Sequence, residues 1–468
     1  MLARLIRFVI LRLVRLFYPR IEVQGRELLP SSGPVIFVLN HPNGLLDPLL
    51  LMASLQRPVA FLAKSTFFAQ PQGRICMKAF GALPVFRQQD AGQPGAASGD
   101  AAARNEQTFA RCRALLAQET ALALFPEGTT HSGATMLPLR TGAARIALSA
   151  EAEHDWQLGV QIVPVGLWYQ HKALFRSATL LVIGQPFGLA PYAAQYALAE
   201  RETVQALTAR LDEALDAVVL QAEHNEVLSA MPVIAAWTAP NGPPLSLREQ
   251  RARAATLLAA YKQLSLTDPA RLHALTHQAR RYARLLRLLG IDDPWALELS
   301  QVRWGGLVSL LVLLLVGFPF AAAGFALSYG PYRLAGRLTP PLVGRHDTLL
   351  GTGKLIVGSA LVLLGWLLAA IIVGVLASPL WGAALLLVAP GLAYIALRWG
   401  EGRAELRAAL TYGWIRSRHT GLAQALAERR RAFAAAVVAA LQDTTLTVPD
   451  DLQYQRSIPA DPTLARRQ

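Results

Sequence analysis

The sequence predicts an α/β domain with a central mixed sheet flanked by helices, followed by a helical region and transmembrane helices. Between residues 20 and 232, short apolar runs bounded by turns alternate with helical patterns. This alternation is expected when helices cover both faces of a sheet. After residue 305, long apolar segments dominate the chain, which indicates insertion into a membrane. A chain of 468 residues is also too long for one simple core, so several domains are expected.

The elements of the α/β domain are predicted from these apolar runs and from the patterns between them. The strand candidates are residues 21–23, 34–39, 59–62, 121–125, 160–167 and 179–183. Helical patterns occupy residues 105–118, 139–152 and 195–227. Residues 91–103 contain Gly, Pro and Ser in close succession, which indicates a flexible surface loop.

The net charge of +14, with a pI near 10.3, favours an anionic partner. A mean hydropathy of +0.32 is high for a soluble protein, and the apolar C-terminal half favours an anionic membrane face over nucleic acid. We therefore expect no nucleic-acid partner, since no zinc-finger spacing or basic heptad region is present. Cys76 and Cys112 form no CxxC pattern, which is typical of a reducing, cytoplasmic setting.

Residues 1–19 predict an amphipathic helix rather than a cleaved signal peptide, because arginines are spread through the apolar run and no small-residue cleavage site follows. The arginines fall roughly on one helical side: Arg4, Arg7, Arg12 and Arg15. We expect an interfacial helix with its arginines at lipid headgroups and its apolar side chains in the acyl region. The alternative is an ordinary amphipathic helix that covers the core of the following domain.

The chain after the α/β domain is predicted in three parts. Residues 245–300 form a helical region, in which a helical hairpin is expected. Residues 305–398 form a membrane region, because apolar segments of bilayer-spanning length lie there. Residues 400–468 form amphipathic helices and a disordered tail.

Within the membrane region, residues 355–376 and 380–397 carry no charge and predict a transmembrane hairpin. The apolar segment 307–329 is interrupted by Gly317 and Pro319. A full span here would put the α/β domain on the opposite side of the membrane from the cations that flank the hairpin. We therefore expect a re-entrant segment that bends at these two residues, with a full span as the alternative.

The orientation of the hairpin is predicted from the charges that flank it. Cations precede and follow the hairpin, whereas the turn between its helices has none: Arg333, Arg337, Arg345, Lys354, Arg398, Arg403 and Arg407. Since cytoplasmic flanks are rich in Lys and Arg, both ends are expected in the cytoplasm. The predicted location is an inner or cytoplasmic membrane, with the α/β domain facing the cytoplasm.

A polar cluster that contains His41 and Asp47 follows the apolar run 35–39 directly. Pro42 favours an extended His41 at a strand end, and Pro48 suits the first position of a helix with Asp47 as its cap. The turn between them can fold the carboxylate back onto the imidazole, which would make His41 a general base. The alternative is that Asp47 only caps the helix and His41 is an ordinary surface residue.

A second polar cluster, residues 125–132, follows the apolar run 121–124. Glu127 would stand at the carboxyl edge of the sheet, where α/β proteins bind ligands. Gly128 permits close approach of the backbone, and Thr129 and His131 follow it. Alone, this segment is also compatible with an ordinary strand-to-loop turn. Together, the two clusters suggest acyl transfer to a hydroxyl without a Ser or Cys nucleophile.

Two cations between these clusters are candidates for binding a phosphate. Lys64 and Arg87 each follow a strand-like segment, and an arginine fork suits a phosphate monoester. An unspecialised surface position is the alternative for either residue. The strand candidate 162–167 contains a proline and could line an acyl groove, although a core strand is the simpler interpretation.

At these residues the chain resembles the glycerolipid acyltransferase superfamily of glycerol-3-phosphate and lysophosphatidate acyltransferases. Four ordered blocks carry the resemblance, which covers roughly residues 20–230: His41 to Asp47, Gly81 to Arg87, Phe125 to Gly128 and Ile162 to Val165. Five residues separate His41 from Asp47, whereas the commonest family spacing is four. The longer spacing is similar to the branch that acylates glycerol-3-phosphate or dihydroxyacetone phosphate.

The resemblance implies the roles of the site residues. His41 would be the base and Asp47 its partner, while Arg87, Glu127 and Gly128 would contact the glycerol phosphate. The implied donor is acyl-CoA or acyl carrier protein, acting as a co-substrate, and no metal or bound cofactor is expected. Acylation of lysophosphatidate or another lysophospholipid is the first alternative, and a non-catalytic membrane scaffold is the second.

Overall fold

The computed structural model describes residues 2–86, 101–239, 245–291, 304–344 and 347–443, with only the backbone of Gln72 and Trp304. The chain divides into two compact units. The first unit comprises Met1–His224 together with Leu338–Val357, and the second comprises Asn225–Arg337 together with Gly358–Gln468. The first unit thus ends ahead of the predicted boundary at residue 232 and includes a segment from the predicted membrane region.

The first unit contains an α/β arrangement. Its strands are β1 Arg20–Gln24, β2 Val35–Leu39, β3 Val59–Lys64, β4 Ala82–Val85, β5 Ala121–Leu124, β6 Gln161–Tyr169, β7 Ala178–Ile183 and β8 Phe187–Gly188. Its helices are α1 Leu2–Phe17, α2 Leu46–Ser54, α3 Pro71–Ala79, α4 Ala101–Ala117, α5 Gly142–Ala152, α6 Ala193–Leu198 and α7 Glu200–Asp216. All six predicted strands form, and β4 and β8 are additional.

Two local predictions in this unit need correction. The predicted helix 195–227 is divided, because Ala199 leaves the helical conformation between α6 and α7. The last three residues of the predicted loop 91–103 belong to α4. The rest of that loop lies outside the described residues.

The sheet is mixed, as the sequence predicts. Its strand order is β1-β7-β6-β2-β5-β3-β4, with β8 paired to β6 off this path. In the series β6, β2, β5, β3, β4, each strand is parallel to the next one. β7 and β8 run antiparallel to β6, and β1 runs parallel to β7.

The core lies where helices cover the middle of this sheet. Every residue of β2 is buried, as is α2 from Leu46 to Ala53, so the segment between β2 and α2 is held by buried structure at both ends. Helix α1 packs against α2 and α3 through its C-terminal half, where Val14 and Phe17 are buried. Its N-terminal half exposes apolar side chains, including Phe8. One part of α1 therefore covers the core, as expected of the alternative to an interfacial helix.

The second unit is helical throughout its described residues. Its helices are α8 Asn225–Trp237, α9 Leu247–Thr267, α10 Pro269–Leu289, α11 Trp304–Val343, α12 Leu350–Leu376, α13 Pro379–Arg418 and α14 Thr420–Gln442. The C-terminal end of α11 and the N-terminal end of α12 belong to the first unit. Where a helical hairpin is predicted, the structure has α9 and α10, separated by Asp268 alone. The predicted disordered tail lies outside the described residues.

Three helices are long and apolar enough to cross a membrane: Gly305–Val343, Asp347–Leu376 and Pro379–Arg418. The first of them continues without a break through Gly317 and Pro319, where a bend is predicted. Helix α11 contacts α13 on both sides of these two residues. The indole Nε1 of Trp399 donates to the carbonyl of Leu314 at 2.8 Å. Gly324 approaches Leu392 so closely that a Cβ on it would lie 2.1 Å from the Leu392 oxygen.

Candidate active site

The parallel strands of the sheet bring the polar clusters to one edge. β2 and β5 are neighbours and point the same way, so the residues after Leu39 and after Leu124 emerge side by side. Lys64 ends β3. β5 lies between β3 and β2, so β3 is about 10 Å from β2 at the usual strand spacing. Arg87 lies outside the described residues.

His41 and Asp47 form a direct pair. The imidazole Nδ1 of His41 lies 2.8 Å from Oδ2 of Asp47. A carboxylate can only accept a hydrogen bond, so Nδ1 carries the proton and Nε2 is left as an acceptor. The His41 ring stacks on Phe125, with centroids 4.1 Å apart. The His41 side chain is 18% exposed while that of Asp47 is fully buried, so the imidazole is accessible and the carboxylate is not.

The predicted role of Asp47 as a helix cap is wrong. Helix α2 begins at Leu46, which places Asp47 and Pro48 inside its first turn. The carboxylate instead accepts three hydrogen bonds, from His41, from the backbone N–H of Asn43 at 2.8 Å and from the Tyr169 hydroxyl at 2.6 Å. These three donors compensate the cost of burying a charge.

A buried polar network extends behind Asp47, and sequence reasoning missed its members. The Asn43 side-chain amide donates to the Tyr18 hydroxyl at 2.8 Å and to the Lys172 carbonyl at 3.0 Å. Tyr18 also donates to that carbonyl. Burial and the nearby Asp47 charge raise the pKa of Tyr169 well above its ordinary value, so this phenol stays a neutral donor. Tyr169 ends β6, two residues past the predicted end of that strand; the strand-end position was the available signal.

Glu127 links the two polar clusters. Its carboxylate accepts from the backbone N–H of His41 at 3.0 Å and from that of Leu137 at 3.1 Å. The backbone N–H of His131 in turn donates to the His41 carbonyl at 3.0 Å. Glu127 is buried, and both of its oxygens hold main-chain groups. The segment after β5 and the segment after β2 are therefore fixed to each other.

Gly128 occupies a position that other residues tolerate poorly. Its φ is +71°, and a Cβ on it would lie 3.2 Å from Cγ of Arg140. The close approach of Arg140 places a cation beside the Glu127 turn, where its backbone N–H also bonds to Pro126. Thr129 and His131 are half-buried at the same turn.

The structure thus brings together six of the predicted site residues: His41, Asp47, Glu127, Gly128, Thr129 and His131. Lys64 shares their edge of the sheet. Neither cysteine joins them in a hydrogen bond described by the structure, and burial raises the pKa of the Cys112 thiol to about 12. Within the described residues, no group of three or more His, Cys, Asp or Glu side chains is placed to hold a metal ion.

The part of the chain that forms this site is similar to known proteins. A sequence-family model described as Acyltransferase matches residues 20–168. Glycerol-3-phosphate O-acyltransferase 2 of Saccharomyces cerevisiae is 29% identical over 46% of this chain and 29% of its own length. The human 1-acyl-sn-glycerol-3-phosphate acyltransferase alpha is 29% identical over 35% of this chain and 50% of its own length. An uncharacterized acyltransferase of Schizosaccharomyces pombe is 27% identical over 46% of this chain and 44% of its own length.

The chain therefore spans half or less of the length of these curated relatives. Among solved structures, the crystal structure of the 1-acyl-sn-glycerophosphate (LPA) acyltransferase PlsC from Thermotoga maritima is 19% identical. It matches with a TM-score of 0.30 over 45% of this chain and 82% of that one. The family match includes β1 to β5, all of β6 except its last residue, and the paired His41 and Asp47. Residues 20–168 thus match the Acyltransferase family, and the similar relatives support its glycerolipid acyltransferase members.

Proposed function

We propose that this protein is a membrane-bound O-acyltransferase that transfers a fatty acyl group to glycerol-3-phosphate or dihydroxyacetone phosphate. The donor is acyl-CoA or acyl carrier protein, and the product serves phospholipid biosynthesis. The observation that carries the proposal is the 2.8 Å hydrogen bond between His41 and the buried Asp47, inside the segment that matches the acyltransferase family.

The proposed reaction uses His41 as a general base. The free Nε2 takes the proton of the acceptor hydroxyl as its oxygen attacks the thioester carbonyl carbon. The carbon–sulfur bond then breaks, and the departing thiolate receives a proton from the imidazolium. Asp47 holds the ring in one tautomer and stabilises the imidazolium while it exists.

The acceptor is proposed to bind at the carboxyl edge of the sheet beside this base. Lys64, Thr129 and His131 are the described candidates for contacts with the phosphate or glycerol hydroxyls, together with the backbone at Gly128. We keep Arg87 as a phosphate ligand on the family resemblance alone. Glu127 would act mainly by fixing the backbone of His41, because both of its oxygens already accept main-chain N–H groups. The reaction as proposed needs no metal or bound cofactor.

Two observations favour glycerol-3-phosphate as the acceptor. Five residues separate His41 from Asp47, the longer of the two family spacings. The yeast glycerol-3-phosphate O-acyltransferase also aligns with more of this chain than the human 1-acyl-sn-glycerol-3-phosphate acyltransferase does, 46% against 35%. The second relative keeps lysophosphatidate as the alternative acceptor.

We also propose that the first unit, which contains His41 and Asp47 and is here called the catalytic unit, faces the cytoplasm from an inner or cytoplasmic membrane. The first residues of α12 belong to the catalytic unit, where Nζ of Lys354 donates to the carbonyl of Ala173 at 2.8 Å. Arg398 and Arg403 follow the apolar part of α13. The preference of cations for the cytoplasmic side puts both ends of the hairpin there. The exposed apolar side chains of α1 would add an interfacial contact.

The first measurement is which acceptor receives the acyl group. Purified protein in phospholipid vesicles would receive radiolabelled acyl-CoA with equal concentrations of glycerol-3-phosphate and 1-acylglycerol-3-phosphate. We expect label mainly in the monoacyl product. Label mainly in the diacyl product would replace the proposed acceptor by the alternative one, and transfer to neither acceptor would favour a non-catalytic scaffold.

Replacing the base should abolish most of the activity. His41→Ala should lower kcat by about 10² to 10⁴, the range that a positioned general base contributes. The variant should remain folded, because the His41 backbone keeps its bond to Glu127. His224→Ala, at an exposed position, is the matched control. Turnover of His41→Ala close to that of the control would refute the assignment.

Tyr169 should act as a positioning residue through Asp47. Tyr169→Phe should lower kcat about tenfold with little change in KM, since a hydrogen bond to a charged group contributes ~1.5 kcal/mol or more. Tyr261→Phe in α9 is a control of the same chemistry. If Tyr169→Phe instead changes only the melting temperature, or raises KM at constant kcat, the hydroxyl does not position the catalytic pair.

The proposed orientation can be tested with single cysteines in a Cys76→Ser background, where buried Cys112 stays unlabelled. Ser378→Cys lies in the turn between α12 and α13, and His419→Cys follows α13. In intact cells, a membrane-impermeant maleimide should label position 378, while position 419 should need permeabilisation. The reverse pattern would place the catalytic unit on the outer side.

A further inference from the structure

The connection between two apolar helices belongs to the catalytic unit. Residues 347–354 comprise the turn before α12 and its first residues, and are here called the α11–α12 connection. They fall within the segment Leu338–Val357 that clusters with the first unit. They are far in sequence from the turn between His41 and Asp47, here called the catalytic turn. The family match ends at residue 168, so it assigns no role to the connection.

One end of the connection is held by charge. Oδ2 of Asp347 lies 3.0 Å from Nζ of Lys172, and Oδ1 accepts from the Ser132 hydroxyl at 3.0 Å. Lys172 also donates to Ser132. Ser132 directly follows His131, while the Lys172 carbonyl accepts from Asn43 in the catalytic turn. The ion pair therefore joins the connection to both segments that surround the site.

The other end of the connection touches the catalytic turn itself. The Thr352 hydroxyl lies 3.4 Å from the Asn43 carbonyl, which it can reach as a donor. Gly44 has a φ of +56°, and the space beside it is closed by Leu349, whose Cδ2 would lie 3.0 Å from a Cβ on Gly44. The middle of the catalytic turn thus faces the connection directly.

Gly351 shows how closely the two segments approach. A Cβ on it would lie 2.7 Å from Oδ1 of Asn43, 2.9 Å from Cδ1 of Leu46 and 2.9 Å from the Lys172 oxygen. One of these neighbours is main chain, and Asn43 is held by its bonds to Tyr18 and Lys172. A shift of Asn43 or of the Lys172 main chain would disturb the turn whose backbone N–H at Asn43 donates to Asp47. Only a residue without a side chain fits here.

We propose that the α11–α12 connection is a positioning segment, which presses on the catalytic turn and keeps His41 and Asp47 in their paired geometry. The catalytic consequence rests on the proposed acyltransferase function, whereas the structural consequence does not. The α11–α12 connection thus packs directly against the catalytic turn.

The test compares Gly351→Ala with Gly358→Ala in the full-length protein. Gly358 lies in the same helix, and a Cβ on it would have only an ordinary contact, 3.9 Å from Ala335. Hydrogen–deuterium exchange would be followed in peptides covering residues 40–47. The relevant amides are bonded within the turn: Asn43 to Asp47, Leu46 to Asn43 and Asp47 to Gly44. Exchange there should rise about tenfold in Gly351→Ala, equivalent to ~1.4 kcal/mol of local stability, and should be unchanged in Gly358→Ala.

Kinetics of the same variants give the second readout. Gly351→Ala should lower kcat about tenfold or more, with KM for the acyl donor nearly unchanged and the melting temperature close to that of Gly358→Ala. A misplacement of about 1 Å at a catalytic group is enough for a loss of this size. Thr352→Val should have a smaller effect on kcat, and Thr352→Ser, which keeps the donor, should restore it.

The outcomes separate this proposal from the proposed function. If residues 40–47 exchange in Gly351→Ala as they do in Gly358→Ala, the positioning role is refuted, whatever the activity. If exchange rises in this turn alone, the positioning role stands, even should the wild-type protein acylate neither glycerol-3-phosphate nor lysophosphatidate. In that case it is the proposed function that fails.

Discussion

The buried carboxylate of Asp47 is the constraint on which the geometry of the site depends. A charge without access to water is tolerated only when donors surround it. Its donors come from three places: the His41 ring, the backbone of Asn43 and the hydroxyl of Tyr169 at the end of β6. The carboxylate therefore orders the turn after β2, the first turn of α2 and the last residue of β6 together.

The sheet makes this convergence possible. β2 lies between β5 and β6, and all three point the same way, so the segments that follow them meet at one edge. Asn40 exchanges two hydrogen bonds with the backbone of Leu167, which fixes the start of the catalytic turn to β6. Glu127 fixes it on the other side to the segment after β5. The His41 backbone is thus fixed to β6 on one side and to the segment after β5 on the other.

Polar residues directly after buried strands made His41, Asp47 and Glu127 predictable, because the ends of parallel strands share an edge. Tyr169 escaped prediction, since an aromatic residue in an apolar strand is usually core. The pairing of Gly351 with Asn43 is a tertiary contact between distant segments, and no local pattern encodes it. A local rule failed where charge outweighed it: Asp47 does not cap α2, because its carboxylate accepts a hydrogen bond from His41 instead.

The position of β1 has a consequence for how the chain acquires this structure. β1 pairs with β7 and not with β2, the next strand in sequence. Its partner, Ala178–Ile183, leaves the ribosome on the order of ten seconds later at translation rates of about 5–20 residues per second. Meanwhile α1, with Leu5 and Phe8 exposed, has already emerged. These exposed apolar side chains are therefore available before the sheet is complete.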